Sequence, residues 1–368
     1  MNSEIKTAII LASVIVVGVG VLSVVLSSFD EETAISNLST NENSISKIDK
    51  SGFKKAPDLV GIAHYLNTTP EKLEEQIKDK VVLYDIWTYS CINCVRTLPY
   101  ITAWDDKYSD QGLLIVGIHS PEFEFEKNPD NVQMAIDKHG ISYPVLLDND
   151  METWKAFDNR YWPRKYIADH EGYIRYDHIG EGGYQETEKI IQQLLKERST
   201  NLGIQFVSVS SLVDIEAFEH TNFRTPELYF GYKFAQNRNQ LGSQEGFQPG
   251  KIVTYLDQNN IELHKFYLTG EWKNHKDSME LVSETGTIKL LYNAKEVNIV
   301  TDKNAELEIF LDEHPLPSEY SGKDTTDNGI IVSEAGLYNI INSENSSSHQ
   351  MEIKITGKGF QIFTFTFG

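Results

Sequence analysis

The chain has 368 residues, enough for two domains of ordinary size, with 54 acidic against 33 basic residues and a formal charge of −21. Non-specific nucleic-acid binding needs a basic face, so nucleic acid is excluded as a partner. The 2 cysteines cannot form a stapling framework; they are one pair with one job.

Residues 1–6 precede an apolar run. From Thr7 to Leu26 no residue is charged, and a helix of about 20 such residues crosses a bilayer. Lys6 lies before the run and Asp30, Glu31 and Glu32 follow it, which keeps the N-terminus in the cytoplasm and sends the rest outside. This predicts a single transmembrane helix over 7–27, hence a single-pass cell-membrane protein with extracytoplasmic catalytic domains. The rival is a cleaved signal peptide, whose apolar core is shorter and ends in a small-x-small site; Val25-Leu26-Ser27 is a poor match. Residues 28–53, rich in Ser, Asn, Glu and Asp, read as a flexible linker.

Between residues 54 and 199 strand-like and helix-like patterns alternate, the signature of an α/β layer fold. Thr69-Pro70-Glu71 opens a helix, with Thr69 as N-cap and Pro70 in the first turn. The apolar runs Val81–Trp87 and Leu113–His119 suit buried central strands, and Pro144–Asp148 a further short one. Helical spacing marks Asn131–His139, with Gly140 as its stop, and Glu186–Lys196. Tyr166–Ala168 and Gly172–Tyr176 form a predicted hairpin. Residues 200–222 connect to a different pattern over 223–368. There, short β-prone runs recur between Gly, Asn, Asp and Ser: Ile252–Leu256, Leu263–Leu268, Thr287–Leu291, Val297–Thr301, Leu307–Leu311, Gly329–Val332, Leu337–Ile341, Met351–Thr356 and Phe360–Phe367. Many short strands with turns between them predict an all-β sandwich, jelly-roll-like.

The chemistry sits at the end of the first apolar run, where Val81–Trp87 leads through Thr88-Tyr89-Ser90 into Cys91-Ile92-Asn93-Cys94 and then a helix containing Pro99. Cys91 therefore stands at a helix N-terminus, where free N–H groups and the macrodipole favour an anion. The thiolate is the reactive form of cysteine, and Cys94, one turn on, is close enough to close a disulfide with it. This implies thiol–disulfide exchange, with no cofactor beyond the Cys91–Cys94 disulfide. Ile92-Asn93 adds no charge to the dipole's effect, which favours the reductase direction. A zinc half-site would need two further ligands, and no histidine stands in paired spacing with the cysteines. An inert structural disulfide is the other alternative, but a loop this short gains little from closure.

Strand, Trp87, CxxC, helix with Pro99 and later Trp162-Pro163 resemble the thioredoxin superfamily. By that resemblance Pro163 is the cis-proline lying against the active disulfide, and Asp85 occupies the place of a buried acid. Such an acid, with a pKa raised on a central strand, could take the proton from Cys94. Trp87 then walls the site. Four longer stretches resemble, more closely, DipZ-type (TlpA-like, cytochrome c biogenesis class) thiol–disulfide oxidoreductases. They are Trp87–Tyr100, His119–Lys127, Asn159–Pro163 and Gly180–Tyr184. The resemblance runs from about Pro57 to Gly368 and implies a C-terminal domain similar to carbohydrate-binding modules. It makes Cys91 the attacking thiol, Cys94 the resolving one, and puts Glu122 where an acid often lies near the disulfide. The catalytic set is then Cys91, Cys94, Asp85, Trp87, Trp162, Pro163 and Glu122. Larger members of that family carry a multi-span electron-conducting domain; here a single span implies a separate membrane electron donor. Protein thiols and disulfides are the expected substrates. Many TlpA-like redoxins lack an acid at the position of Asp85, so the proton route here can differ.

Two other functions compete. The C-terminal domain could make this a surface glycan- or protein-binding protein, with Tyr229, Tyr232, Trp272 and Tyr292 exposed to stack on sugar rings. A peroxiredoxin-like peroxide reductase gains from Thr88-x-x-Cys91 but loses because Tyr84 stands where that motif wants proline.

Overall fold

Val81–Trp87 is buried along its whole length, as a strand packed on both faces must be, and the first sheet is built around it. In the computed structural model, which describes residues 49–207, 211–216, 218, 224–235 and 237–368, this strand is β2. It follows β1 (His64–Leu66) and α1 (Pro70–Ile77). α2 (Ile92–Tyr108), β3 (Leu113–His119), α3 (Pro129–His139), β4 (Val145–Leu147) and α4 (Glu152–Ala156) come next. β5 (Arg164–Ala168), β6 (Ile174–Ile179) and α5 (Tyr184–Leu202) complete this part. The sheet order is β1-β4-β3-β2-β5-β6, with β2, β3 and β4 parallel, β1 and β5 antiparallel to them, and β6 antiparallel to β5. This is a thioredoxin-like α/β arrangement.

Local chemistry accounts for the boundaries. The Thr69 hydroxyl accepts from Lys72 N at 3.3 Å, capping α1. Gly140, at φ +63°, ends α3 in the left-handed region that L side chains avoid. α2 buries Cys94, Leu98, Ile101, Trp104 and Tyr108, three or four residues apart, so one face enters the core. α5 runs to Leu202, past residue 199 where the sequence pattern placed the end of the α/β part. No helix among the described residues is long and apolar enough to cross a membrane; the segments 1–6 and 7–27, and the linker up to residue 48, lie outside the described residues.

The C-terminal region is β-rich. Its strands are β7 (Leu228–Tyr229), β8 (Ile252–Tyr255), β9 (Phe266–Asn274), β10 (Met279–Leu281) and β11 (Thr285–Asp302). They continue with β12 (Ala305–Leu311), β13 (His314–Pro315), β14 (Gly329–Val332), β15 (Gly336–Thr356) and β16 (Gln361–Phe367). All strand pairings are antiparallel along the order β13-β12-β15-β11-β16-β10-β9-β8, with β14 on β12 and β7 on β16. Two pairs of predicted short strands are single long ones. Thr287–Leu291 and Val297–Thr301 both lie in β11, and Leu337–Ile341 and Met351–Thr356 both lie in β15. Of the polar residues between them, read as turns, Lys295 and residues 343–346 bulge out of the β11–β15 ladder where the register shifts between Ala294 and Glu296, and the bulge bends the strands without ending them.

The aromatics of this region correct a second expectation. Trp272 and Tyr292 are 0 % and 1 % exposed and Tyr229 is also buried; only Tyr232 is partly exposed. Alternation along β9 and β11 turns the first two into the core with Phe266, Phe365 and Phe367, so they offer no stacking surface for a sugar.

Residues Phe53–Gly368 form one compact unit. A separate apolar cluster of Phe123, Tyr229, Ala235, Val300 and Phe363 joins the loop after β3 to the β-rich region, with Phe363 4.6 Å from Phe125 and 5.1 Å from Phe123 between ring centres. Arg96 on α2 pairs with Glu296 on β11 at 2.7 Å, and Tyr89 donates to Ala335 O at 3.4 Å. The apolar cluster outweighs these polar contacts, because a buried phenyl ring removed leaves a cavity costing about 3–5 kcal/mol. Phe363→Ala is therefore expected to lower stability by about that amount. Urea unfolding checks it; a loss below about 1 kcal/mol would mean that the cluster is loosely packed.

Candidate functional site

The two cysteines differ sharply in exposure. Cys91 caps α2 and is partly exposed, whereas Cys94 is 1 % exposed behind it. Both are thiols, and the Cys94 thiol is hydrogen-bonded to Cys91. Burial, then Cys91, then the nearby Asp85 carboxyl push the Cys94 thiol well above its usual range. Reading the pair as attacker and resolver requires one sulfur in reach of a partner and one held back; this arrangement supplies both.

Asp85 lies on β2, 1 % exposed, and its Oδ1 has no hydrogen-bond partner. Burial raises its pKa to about 6, against the pull of Lys165. Lys165 was not singled out from the sequence, yet it sits directly across the ladder from Asp85 on β5. It is wholly buried, donates to Gly180 O at 3.2 Å, and burial lowers its pKa. Its signal was visible in principle: Arg164 and Lys165 are two charged residues opening a strand that is otherwise apolar.

The loop that carries Cys91 is held from below. Glu126, fully buried, accepts from Thr88 Oγ1 and Ser90 Oγ at 2.5 Å each through one oxygen. Its other oxygen accepts from the backbone N–H groups of Glu122 and Phe123 at 2.6 and 2.8 Å. Burial pushes the Glu126 carboxyl up, and the hydrogen bonds from Ser90 and Thr88 oppose it. His119 Nε2 lies 3.3 Å from Thr88 Oγ1; with that hydroxyl's proton committed to Glu126, the imidazole is the donor. Burial holds His119 neutral, its pKa pushed down to about 3. Nothing in the Glu-rich run 122–126 distinguishes Glu126 by pattern; only its placement beneath the loop does.

Trp87 is wholly buried, edge-on to His119 at 5.4 Å. Gly117 lets the strands close over it, since a Cβ there would meet the indole nitrogen at 3.1 Å. The Trp162–Pro163 bond is cis, and the Trp162 indole donates to Ser120 O at 2.9 Å while packing on Trp154. Cys91, Trp162 and Glu122 line one cleft of about 560 Å³, together with Arg96, Glu181 and, from the β-rich region, Glu227 and Tyr229. Cys94, Asp85 and Trp87 lie behind that surface. Another cavity, of about 590 Å³, lies away from the cysteines against Tyr232, Leu241 and Phe247 and holds no group that could join the exchange. Among the described residues no cluster of three or more His, Cys, Asp or Glu could hold a metal ion.

The redoxin family matches residues 52–195, and a family described as a thioredoxin-like C-terminal domain matches residues 225–368. The thiol–disulfide oxidoreductase YkuV of Bacillus subtilis is 32% identical over 141 residues, 38% of this chain and 94% of that protein. Protein DipZ of Mycobacterium tuberculosis is 34% identical over 315 residues, 85% of this chain. The chain belongs to the thiol–disulfide oxidoreductases. It spans 43% of DipZ's length. The solution structure of a thioredoxin-like protein in the oxidised form is 31% identical, with a TM-score of 0.36 over 39% of this chain and 97% of that one.

For this oxidoreductase the buried Asp85 makes a stability prediction with a definite sign. The folded chain holds the Asp85 proton from the ordinary value of 3.8 up to about 6, so stability falls as pH rises through that window and stays lowered above it. Asp85→Asn removes this penalty, while Lys165 loses its counter-charge. The variant is expected to gain about 1–3 kcal/mol over the parent at neutral pH and nothing at pH 3. Urea unfolding across that range checks it, and parallel stability curves would contradict it.

Proposed function

We propose that the protein is a membrane-tethered, extracytoplasmic thiol–disulfide oxidoreductase that reduces disulfides in protein partners. The observation that carries this reading is the pairing of an accessible Cys91, open to a cleft, with a buried Cys94 thiol hydrogen-bonded to it. The Cys91 thiolate attacks a partner disulfide, a mixed disulfide forms, and Cys94 resolves it. Cys94 must lose its proton to do so, and Asp85, a carboxyl tuned close to neutrality by burial, is the base that takes it. Lys165 offsets the negative charge this step leaves inside the core. Pro163 and Trp162 shape the wall against which the partner chain lies, Trp87 backs the Cys91 loop, and Glu122 edges the cleft.

The apolar segment 7–27 is the tether, and 28–53 the spacer holding residues 54–199 and 223–368 away from the bilayer. A separate membrane protein returns electrons to the Cys91–Cys94 disulfide. The C-terminal strands form a jelly-roll-like sandwich that works beside the redox domain. Glycan binding there is the weaker reading, since three of the four aromatics that motivated it are buried.

Pre-reduced protein mixed with a cystine-containing peptide tests the assignment. Cys91→Ser is expected to bring reduction to the uncatalysed background. Cys94→Ser is expected to accumulate a mixed disulfide visible by mass spectrometry without reductant. Reduction at an undiminished rate by the Cys91→Ser protein would end this reading.

A further inference from the structure

The β-rich region places two groups in the redox cleft that the exchange chemistry has not yet used. Tyr229, on β7, points its hydroxyl between two carboxyls, 3.1 Å from Glu122 Oε1 and 2.8 Å from Glu227 Oε2. A phenol has one proton to donate. Both contacts can be hydrogen bonds only if one carboxyl is itself protonated and donates to the phenol oxygen. The second anchor of Glu227 is Thr364 on β16, whose hydroxyl reaches its Oε1 at 3.3 Å. The three side chains line the same cleft as Cys91.

We infer that the C-terminal region completes the active site, and that the Glu122–Tyr229–Glu227 group holds one shared proton for the partner's leaving sulfur. The inference rests on the exchange reaction proposed above and adds its proton donor. Burial raises both carboxyls above their usual range, and Glu227, Glu126 and Cys91 add to the effect at Glu122. Arg238, over the Tyr229 ring at 4.8 Å, opposes it at Glu227. Arg96, Arg160 and Glu181 face the group across the cleft. Two carboxyls sharing one site do not both ionise readily, so one proton stays.

The reaction balances as follows. The Cys91 thiolate forms a bond to one partner sulfur as the partner's S–S bond breaks, and the departing thiolate takes the shared proton to leave as a thiol. The Cys94 thiolate, its proton passed to Asp85, then bonds to Cys91 Sγ. The mixed disulfide breaks, and the second partner sulfur takes a proton from the group, which has refilled from water. Two electrons pass from the cysteine pair to the partner. Proton delivery matters for an alkyl thiol, whose anion is basic, and hardly at all for an aromatic thiol, whose anion leaves unaided.

That contrast supplies the test. Full-length pre-reduced protein and its Glu227→Gln and Tyr229→Phe variants are assayed in single turnovers on an alkyl disulfide peptide and on the aromatic disulfide dithiobis(nitrobenzoate). The variants are expected to slow the alkyl reaction at least tenfold, consistent with the about 10²–10⁴-fold usual for general acids. They should stay within twofold of the parent on the aromatic disulfide. The fall in the parent's alkyl rate at high pH, where the shared proton is lost, should move to lower pH in Glu227→Gln. Equal slowing on both disulfides would make the group merely structural, and no slowing on either would leave it without a part in the reaction; each overturns the inference. If the parent itself showed no Cys91-dependent reduction of either disulfide, the oxidoreductase reading would fail first, which separates the two failures.

Discussion

One buried carboxylate organises the site. Glu126 accepts four hydrogen bonds, two from the hydroxyls of the loop that leads to Cys91 and two from backbone N–H groups beside Glu122. A buried carboxylate with fewer partners would be costly; with both oxygens doubly used it becomes a clamp between the ends of β2 and β3. That clamp decides where Cys91 opens and that Glu122 stands beside it. The parallel pairing of β2 with β3 brings both loops to the same sheet edge, the place where open α/β sheets present their chemistry.

Behind the loop, burial sorts the charges. Cys91 is left at a helix start in contact with the cleft, while Cys94 sits one turn inside, where desolvation disfavours its thiolate. The same desolvation raises Asp85 and lowers Lys165, so burial disfavours the charge on each of these cross-strand neighbours while each supports the charge on the other. His119 is driven neutral by its surroundings and serves as a hydrogen-bond donor to the loop. The interior thus has two polar systems, one for the buried sulfur and one for the loop.

The β-rich region packs against this edge. Its phenylalanines embrace Phe123 and Phe125, and its Tyr229 hydroxyl stands between Glu122 and Glu227. The cleft is therefore walled by two parts of the chain.

Much of the α/β part was legible because its signals are local. An uninterrupted apolar run is a buried strand, Thr69 and Gly140 punctuate helices by side-chain and backbone chemistry, and two cysteines one helical turn apart can only be neighbours. In the C-terminal part the same local logic split β11 and β15 at polar stretches, since a bulge that keeps a strand paired leaves no mark in composition. It also put Trp272 and Tyr292 outside, because alternation alone does not say which face of a strand looks inward. The sequence by itself placed the two cysteines at a helix start and Asp85 on a central strand, both of which depend on neighbours within a few residues. Only the tertiary structure decided that Lys165 faces Asp85, that Glu126 supports the loop, and that Tyr229 meets Glu122. Those contacts join residues 36 to 107 positions apart or lie across a sheet ladder, and the packing of whole layers, which no local pattern encodes, is what closes them.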